Sequence, residues 1–302
     1  MTPLSRNIED YPEGIIIPID KPYRWTSADV IRKVKYTAIR HFGKKNLKVG
    51  HAGTLDPLAT GVLLVCIGKA TKLAEELQSH DKEYVAGITF GATTPSYDLE
   101  KEIDRFFPHE HITSEGVSEA LPAFIGEQEQ IAPLFSAKSV DGVRAYELAR
   151  KLHREGKTLD EAAAELIRVS RINITELELK EYIGSGVASE DPRPVPAALT
   201  HPLRGSAMSS PAIAGSESNA SSRINVTDNS ALGLPRAVVR MACSKGTYVR
   251  AFARDLGEAL GSGAHLDSLQ RSRSGIFRVE NALTVDQAIA LLTGGAQPSA
   301  KQ

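Results

Sequence analysis

The sequence has few residues that could build a disulfide framework or a metal centre. Its 302 residues include only two cysteines, Cys66 and Cys243, and these form no CxxC pair. Because both follow apolar residues, we predict buried, unpaired thiols, which fits a reducing cytoplasm. The eight histidines form no recognisable ligand set. We therefore expect neither a structural zinc nor a catalytic metal.

Long apolar runs and an excess of charge are absent as well. No stretch approaches the length that crosses a membrane, and residues 1–12 lack the apolar segment of a secretion signal. The formal net charge is −1, with 24% charged and 41% hydrophobic residues. These values are typical of a soluble globular chain, so any site for a polyanion must be local. We expect a cytoplasmic protein with no membrane contact.

Common cofactor and nucleophile motifs are also missing. The glycines of Gly50 to Gly61 are not followed by the Lys-Ser/Thr that completes a phosphate-binding P-loop, and no GxGxxG opens a helix after a strand. HExxH and GxSxG do not occur. The sequence therefore predicts a site that works without a cofactor.

The most informative stretch is Lys48 to Gly61, which holds three glycines, one imidazole at His51 and one carboxylate at Asp56. The apolar run Val62 to Ile67 follows it, which predicts a tight loop leading into a buried strand. Asp-Pro also opens ordinary turns and Asp caps helices, so the residue types leave a structural role open. Among catalytic roles, covalent chemistry by Asp56 is the hypothesis that survives the missing cofactor motifs.

Positive charge is concentrated just before this loop. Thr26 to Asp29 resembles a capping box, and Val30, Val34 and Ala38 give the following helix an apolar face. No acidic residue separates Asp29 from Asp56, and the basic residues between them are Arg32, Lys33, Lys35, Arg40, His41, Lys44, Lys45 and Lys48. Such a strip suits phosphate contact, although a solvated helix face gives the same pattern.

A second basic segment, residues 130–157, includes Phe135 and Tyr146 among its cations. Aromatic rings among cations suit base stacking with phosphate contact, and a helix with a basic outer face is the alternative. Lys82 to Phe90 alternates like a half-buried strand. Residues 184–233 are rich in Ser, Ala, Pro, Gly and Asn, which predicts a disordered insertion. The remaining strands and helices lack regular βαβ alternation, which favours the α+β class.

The stretch from Gly50 to Gly61, GHAGTLDPLATG, closely resembles the signature of the TruB family of pseudouridine synthases, and the resemblance extends from Gly14 to Phe277. Further matching blocks are Asp20-Lys21-Pro22 with Thr26-Ser27, Ala70 to Lys72, Asp81 to Tyr84, Phe135 to Lys138 with Arg144 to Tyr146, Cys243 to Gly257, and Leu269 to Gly275. The resemblance implies the pseudouridine synthase fold, with a mixed, largely antiparallel central sheet flanked by helices and RNA-binding loops. It also implies isomerisation of uridine-55 in the T loop of tRNA.

The resemblance assigns a role to each matching site residue. Asp56 would be the nucleophile, attacking either the base or the ribose anomeric carbon. Tyr84 would stack on the flipped uracil, and Arg250 would pair with Asp56. Leu269 would pack on the target base, and His51 would fill or brace the space that the base leaves.

The resemblance also implies how RNA is held. Residues 130–157 resemble the segment that grips RNA in this family, and Lys21, Lys138 and Arg144 would bind the substrate. The partner would be the T arm of tRNA, bound by a monomer without a cofactor. An RNA-binding or tRNA-folding protein, for which catalysis is secondary, is the alternative function.

We expect a catalytic domain formed by residues 13–183 and 234–293. It would be flanked by tails at 1–12 and 294–302, interrupted by the insertion 184–233, and not followed by a PUA domain. The chain departs from the family pattern at two turns. Arg24 replaces the usual glycine after Lys-Pro-x, and the usual Thr-Asp-Thr-x-Asp reads Thr94-Pro95-Ser96-Tyr97-Asp98.

Overall fold

The computed structural model describes residues 4–133, 139–140, 143–144, 169–186, 224 and 226–294. The α-helices of these residues are α1 Ser27–Phe42, α2 Ala74–Ser79, α3 Ser114–Ala120, α4 Val249–Ala259 and α5 Val285–Thr293. The longer strands are β1 Ile15–Lys21, β2 Val49–Ala52, β3 Ala59–Ile67, β4 Lys82–Phe90, β7 Gly126–Gln130, β10 Ser170–Ile183, β11 Arg236–Cys243 and β12 Ala264–Ser274. Two-residue strands are β5 Ala92–Thr93, β6 Arg105–Phe106, β8 Ser139–Val140, β9 Val143–Arg144 and β13 Phe277–Arg278. The α+β class predicted from the sequence is confirmed.

The chain divides into two compact units. The first comprises residues 1–83, 215–224 and 270–302, and the second comprises residues 84–214 and 225–269. The single catalytic domain expected from the sequence stays a prediction, and most of the insertion 184–233 lies outside the described residues. No described helix is both long and apolar enough to cross a membrane.

The first unit is built around strand β3. Its residues are nearly all buried, because the apolar run Val62–Ile67 has no polar face to present to solvent. Both β1 and β2 pair antiparallel with β3, so that Ile67 lies opposite Ile15 and also opposite Val49. These pairings place the loop between β2 and β3 at the end of a rigid core strand.

Helix α1 begins and packs as its sequence predicts. Thr26 is the N-cap, and its side chain accepts from the Asp29 amide while the Asp29 carboxylate accepts from the Thr26 amide. Val30, Val34 and Ala38 are fully buried. The helix ends at Gly43, whose left-handed backbone favours glycine. Because α1 starts next to the loop, it supplies side chains that hold the loop.

The second unit contains the strand order β12-β4-β11-β10-β7, in which β12 contributes residues 264–269 and β4 residues 84–90. Strand β10 pairs antiparallel with both β11 and β7. Helix α4 follows β11 after a short turn. Cys243 at the end of β11 is buried and outside any disulfide, as is Cys66 on β3. The predicted burial of both thiols is therefore confirmed.

Strand β4 is where the predicted half-buried alternation is wrong. Every residue from Tyr84 to Phe90 is buried. The face with Gly87 and Thr89 covers a buried ion pair, in which the Arg236 guanidinium donates to both carboxylate oxygens of Asp267 at 2.6 and 2.9 Å. Thr89 Oγ1 donates to the same carboxylate at 2.8 Å. A Cβ at Gly87 would lie within 2.3 Å of this pair, so the glycine makes room for buried charge.

Candidate active site

Asp56 lies in the loop that joins β2 to β3. Its carbonyl accepts the Ala59 amide at 3.1 Å, which closes a turn with Pro57 at the second position. Gly53 and Gly61 flank the turn with φ of 87° and 96°, angles that L side chains rarely adopt. The Asp56 side chain is half-buried. The loop therefore presents a carboxylate from a tightly turned backbone.

Side chains outside the loop fix its backbone. Ser27, the first residue of α1, accepts the Leu55 amide at 3.0 Å and donates its hydroxyl to the Leu55 carbonyl at 3.2 Å. At the other end, the Asp20 carboxylate accepts the Gly61 amide at 3.0 Å. These contacts leave the neighbours of Asp56 little freedom, which suits a group that must be aimed at a reacting atom.

Lys21 is fully buried beneath the same loop. Its ammonium donates to the carbonyls of Pro22 at 3.0 Å, Trp25 at 2.5 Å and Pro57 at 3.1 Å. The predicted contact between Lys21 and substrate therefore needs correction, because the side chain has no surface to offer RNA. Its donors join the carbonyls of Pro22 and Trp25, before α1, to the carbonyl of Pro57 in the Asp56 turn, so we assign it to support of that turn.

Burial lowers the pKa of Lys21 to about 7, and the nearby Asp56 carboxylate opposes this shift. An unfolded lysine has a pKa of about 10.4, so between these pH values the unfolded chain binds more protons at this site. The free energy of unfolding of wild type should therefore rise with pH relative to that of Lys21→Met, by at most about 1.4 kcal/mol per pH unit. Urea unfolding of wild type and Lys21→Met at about pH 7.5 and about pH 9.5 measures how the difference between their free energies of unfolding changes.

The matched control is Lys45→Met, which removes an exposed lysine. The difference in free energy of unfolding between this variant and wild type should stay constant over the same pH range. Parallel pH profiles for wild type and Lys21→Met would contradict the low pKa of the buried amine.

His51 lies on β2, opposite Val65 of β3. Burial lowers the pKa of its imidazole, and the positive charge of Arg271 lowers that pKa further. Its Nδ1 atom is buried and has no hydrogen-bond partner among the described residues. The ring is thus held neutral and half-buried, with an unused polar atom.

The second unit holds the other predicted site residues. Arg250 is the second residue of α4 and is 5% exposed. Its Nη1 donates to the Ser96 carbonyl at 3.0 Å, and its Nε lies 3.7 Å from Oδ2 of Asp98. Tyr84, on β4, is 9% exposed, and Leu269 on β12 is half-buried.

Asp98 is a candidate site residue that the sequence reasoning missed. It is 6% exposed, and it accepts from the Ser96 hydroxyl at 2.6 Å and from the Glu100 amide at 3.0 Å. The only signal in the sequence was its match to the last Asp of the family's Thr-Asp-Thr-x-Asp block. No spacing rule connects it to Arg250, since the two lie in different elements far apart in the chain.

The departures from the family pattern fall at strained turns. Arg24 has a φ of 62° and Tyr97 a φ of 55°, both in the left-handed region that favours glycine. Arg24 therefore occupies, with some backbone strain, a position where the family uses glycine. Its Nη2 donates to the Ile224 carbonyl at 2.8 Å.

The predicted RNA-gripping segment is described only in part. Lys138 lies outside the described residues, and Arg144 is described only as part of the short strand β9. Their substrate-binding roles therefore stay predictions. The described residues contain no cluster of three or more His, Cys, Asp or Glu side chains that could hold a metal ion.

Comparison with known proteins identifies the family. The model described as TruB family pseudouridylate synthase (N terminal domain) matches residues 40–192. A second model, the tRNA pseudouridylate synthase B C-terminal domain, matches residues 250–294. The first match includes Asp56 and Tyr84, and the second includes Arg250 and Leu269.

Similar curated proteins cover nearly the whole chain. The tRNA pseudouridine synthase B of Phocaeicola vulgatus is 46% identical over 92% of this chain and 92% of its own length. The protein of the same name from Bacteroides thetaiotaomicron is 45% identical over 91% of each chain. Among solved structures, a Cbf5-Nop10-Gar1 complex is similar in fold, with a TM-score of 0.55 and 23% identity. This chain covers 61% of that chain, with 98% of its own length aligned. The protein belongs to the TruB family of pseudouridylate synthases.

Proposed function

We propose that this protein is a tRNA pseudouridine synthase that isomerises uridine-55 of the T loop, with the Asp56 carboxylate as nucleophile. The observation that carries the proposal is the loop 53–61. It presents this carboxylate from a backbone that the side chains of Ser27 and Asp20 hold by hydrogen bonds, and its sequence matches the family signature. The curated relatives named tRNA pseudouridine synthase B support tRNA as the substrate class.

The reaction is an isomerisation, so it needs no oxidant, reductant or second substrate. The glycosidic bond from C1′ to N1 breaks, the uracil rotates, and a bond from C1′ to C5 forms. In this proposal Tyr84 assists the loss of the C5 proton to solvent, and N1 takes up a proton from solvent, so atoms and charge balance. A carboxylate supplies a covalent intermediate in this sequence by attacking either the base or the anomeric carbon of the ribose. In either case the bond to the carboxylate oxygen breaks again before the product leaves, which restores the free carboxylate.

Base flipping follows from where the reacting atoms lie. The N1 and C5 atoms of a stacked uridine are inaccessible to a carboxylate, so the nucleotide must leave its stack. In the proposal Tyr84 stacks on the extruded uracil and Leu269 packs on it, which excludes water. His51, neutral and with an unpartnered Nδ1, braces the space left in the RNA.

Arg250 supplies positive charge for the Asp56 nucleophile in this proposal. It lies in the first turn of α4, where the helix amides add a positive field. Asp98 and the Ser96 carbonyl hold its guanidinium in one orientation. A guanidinium held in this way can pair with a carboxylate without reorganising during the reaction.

Phosphate contacts are proposed for only part of the basic strip. Within it, Arg32 pairs with Asp29, Lys33 lies 3.7 Å from Asp286, and Lys44 pairs with Glu9. These ion pairs reduce the charge available to RNA. Lys35, Lys45 and Lys48 are exposed, and we propose that they contact the tRNA backbone.

A T-arm minihelix tests whether the protein acts by itself. The fold resembles Cbf5, whose solved structure is a complex with Nop10 and Gar1, so a need for partner proteins is a further alternative. Purified protein and unmodified minihelix RNA, without other components, should give pseudouridine at position 55. A minihelix with cytidine at that position should give none. Activity that appears only after cell extract is added would contradict the proposal.

A further inference from the structure

Arg271, on the final part of β12, is a buried cation that the proposed chemistry does not use. It is 1% exposed and is among the largest fully buried side chains of the described residues. Its Nε donates to the Val62 carbonyl at 2.7 Å, and its Nη2 donates to the Gly53 carbonyl at 3.1 Å. One guanidinium therefore joins the two ends of the loop that carries Asp56.

The backbone of Arg271 also contacts the loop. A Cβ at Gly61 would lie 2.3 Å from the Arg271 carbonyl oxygen and 2.8 Å from its amide nitrogen. Gly61 is thus a glycine because the β12 backbone passes directly against it. Side chain and main chain of one residue together close the loop between Gly53 and Val62.

The chemistry of the side chain suits this position. A guanidinium is planar and holds its donors in a fixed fork, so it can bind two carbonyls on separate segments at once. Lysine offers a point charge on a flexible stem and cannot reproduce both contacts with the same geometry. Burying a charge against neutral carbonyls is costly compared with an apolar side chain of similar volume. Stability alone therefore gives little reason for an arginine here.

We infer that Arg271 is a positioning residue, which fixes both ends of the loop so that the Asp56 carboxylate keeps one reactive orientation. This inference rests on the proposed role of Asp56. Arg271 does not touch the RNA in this account, because its side chain has no exposed surface. Its charge has a second effect, since it helps to lower the pKa values of His51 and Lys21.

Steady-state kinetics of Arg271→Met and Arg271→Lys on unmodified tRNA test the inference. Because a misplacement of about 1 Å can slow a reaction about 100-fold, we expect a kcat loss of about that size in Arg271→Met. KM should stay within about twofold, since the RNA-binding surface is unchanged. Arg271→Lys keeps the charge and one contact. Its kcat should therefore lie between those of wild type and Arg271→Met, about 10-fold below wild type.

A stability-matched control separates positioning from folding. Leu292→Ala removes a fully buried side chain of α5, a helix that supplies none of the loop contacts described above. It should lower the melting temperature while kcat, measured well below that temperature, stays within about twofold of wild type.

Three results would overturn the inference. They are an unchanged kcat in folded Arg271→Met, a wild-type kcat in Arg271→Lys, or a kcat loss in Leu292→Ala equal to that of the arginine variants. The lysine variant keeps the test decisive if Arg271→Met does not fold. Failure of the proposed function looks different, because wild-type protein would then form no pseudouridine at all.

Discussion

Asp56→Asn should abolish pseudouridine formation, lowering kcat by at least about 10⁴-fold, a loss typical of removing a nucleophile. The amide has nearly the same shape as the carboxylate but is a very poor nucleophile. The turn should persist, since its hydrogen bonds come from the Asp56 carbonyl and the neighbouring backbone. The dissociation constant for unmodified tRNA should therefore change by less than about threefold.

The matched control is Asp286→Asn, the same chemical change at an exposed carboxylate of α5. Its kcat should equal that of wild type. Normal turnover by Asp56→Asn would contradict the nucleophile assignment. If Asp56→Asn lost turnover but still fulfilled the protein's cellular role, the alternative of a tRNA-folding protein would gain support.

Arg250→Met should lower both stability and activity. The variant leaves Asp98 buried without this cation, and removing one member of a buried pair costs about 3–5 kcal/mol. The separation of 3.7 Å and the remaining hydrogen bonds of Asp98 favour the lower end of that range. In the proposed mechanism Arg250 supplies positive charge to the nucleophile, so turnover should fall at least about 100-fold.

A double variant separates these two effects. In Arg250→Met combined with Asp98→Asn, no unpaired charge remains buried at this position, so about 1–2 kcal/mol of the free energy of unfolding should return. Turnover should stay low, because no cation has been restored. Urea unfolding and single-turnover kinetics on the same preparations measure both quantities. Recovery of turnover in the double variant would show that Arg250 acts only on the fold.

The elements with strong local signals were predictable from the sequence. The apolar run Val62–Ile67 forms a buried strand and Thr26 caps α1, because each depends on residues adjacent in the chain. The loop around Asp56 was also predictable, since its glycines and proline restrict the backbone directly.

Contacts between residues distant in sequence were not predictable. Lys21 matched a family block and was expected at the RNA, yet carbonyls from separate segments enclose its ammonium. Asp98 and Arg271 carry no local signal, because their partners come from elements far away in the chain. The burial of β4 on both faces was likewise not predictable. One face covers the ion pair between Arg236 and Asp267, whose members come together only in the folded sheet.

We propose that this protein converts one uridine of tRNA, at position 55, through Asp56. The most direct test maps pseudouridine across a complete, unmodified tRNA transcript after incubation with purified wild-type protein, with Asp56→Asn as the inactive reference. We predict a single pseudouridine at position 55 with wild type and none with the variant. No pseudouridine with wild type, or pseudouridine at another position, would contradict the account.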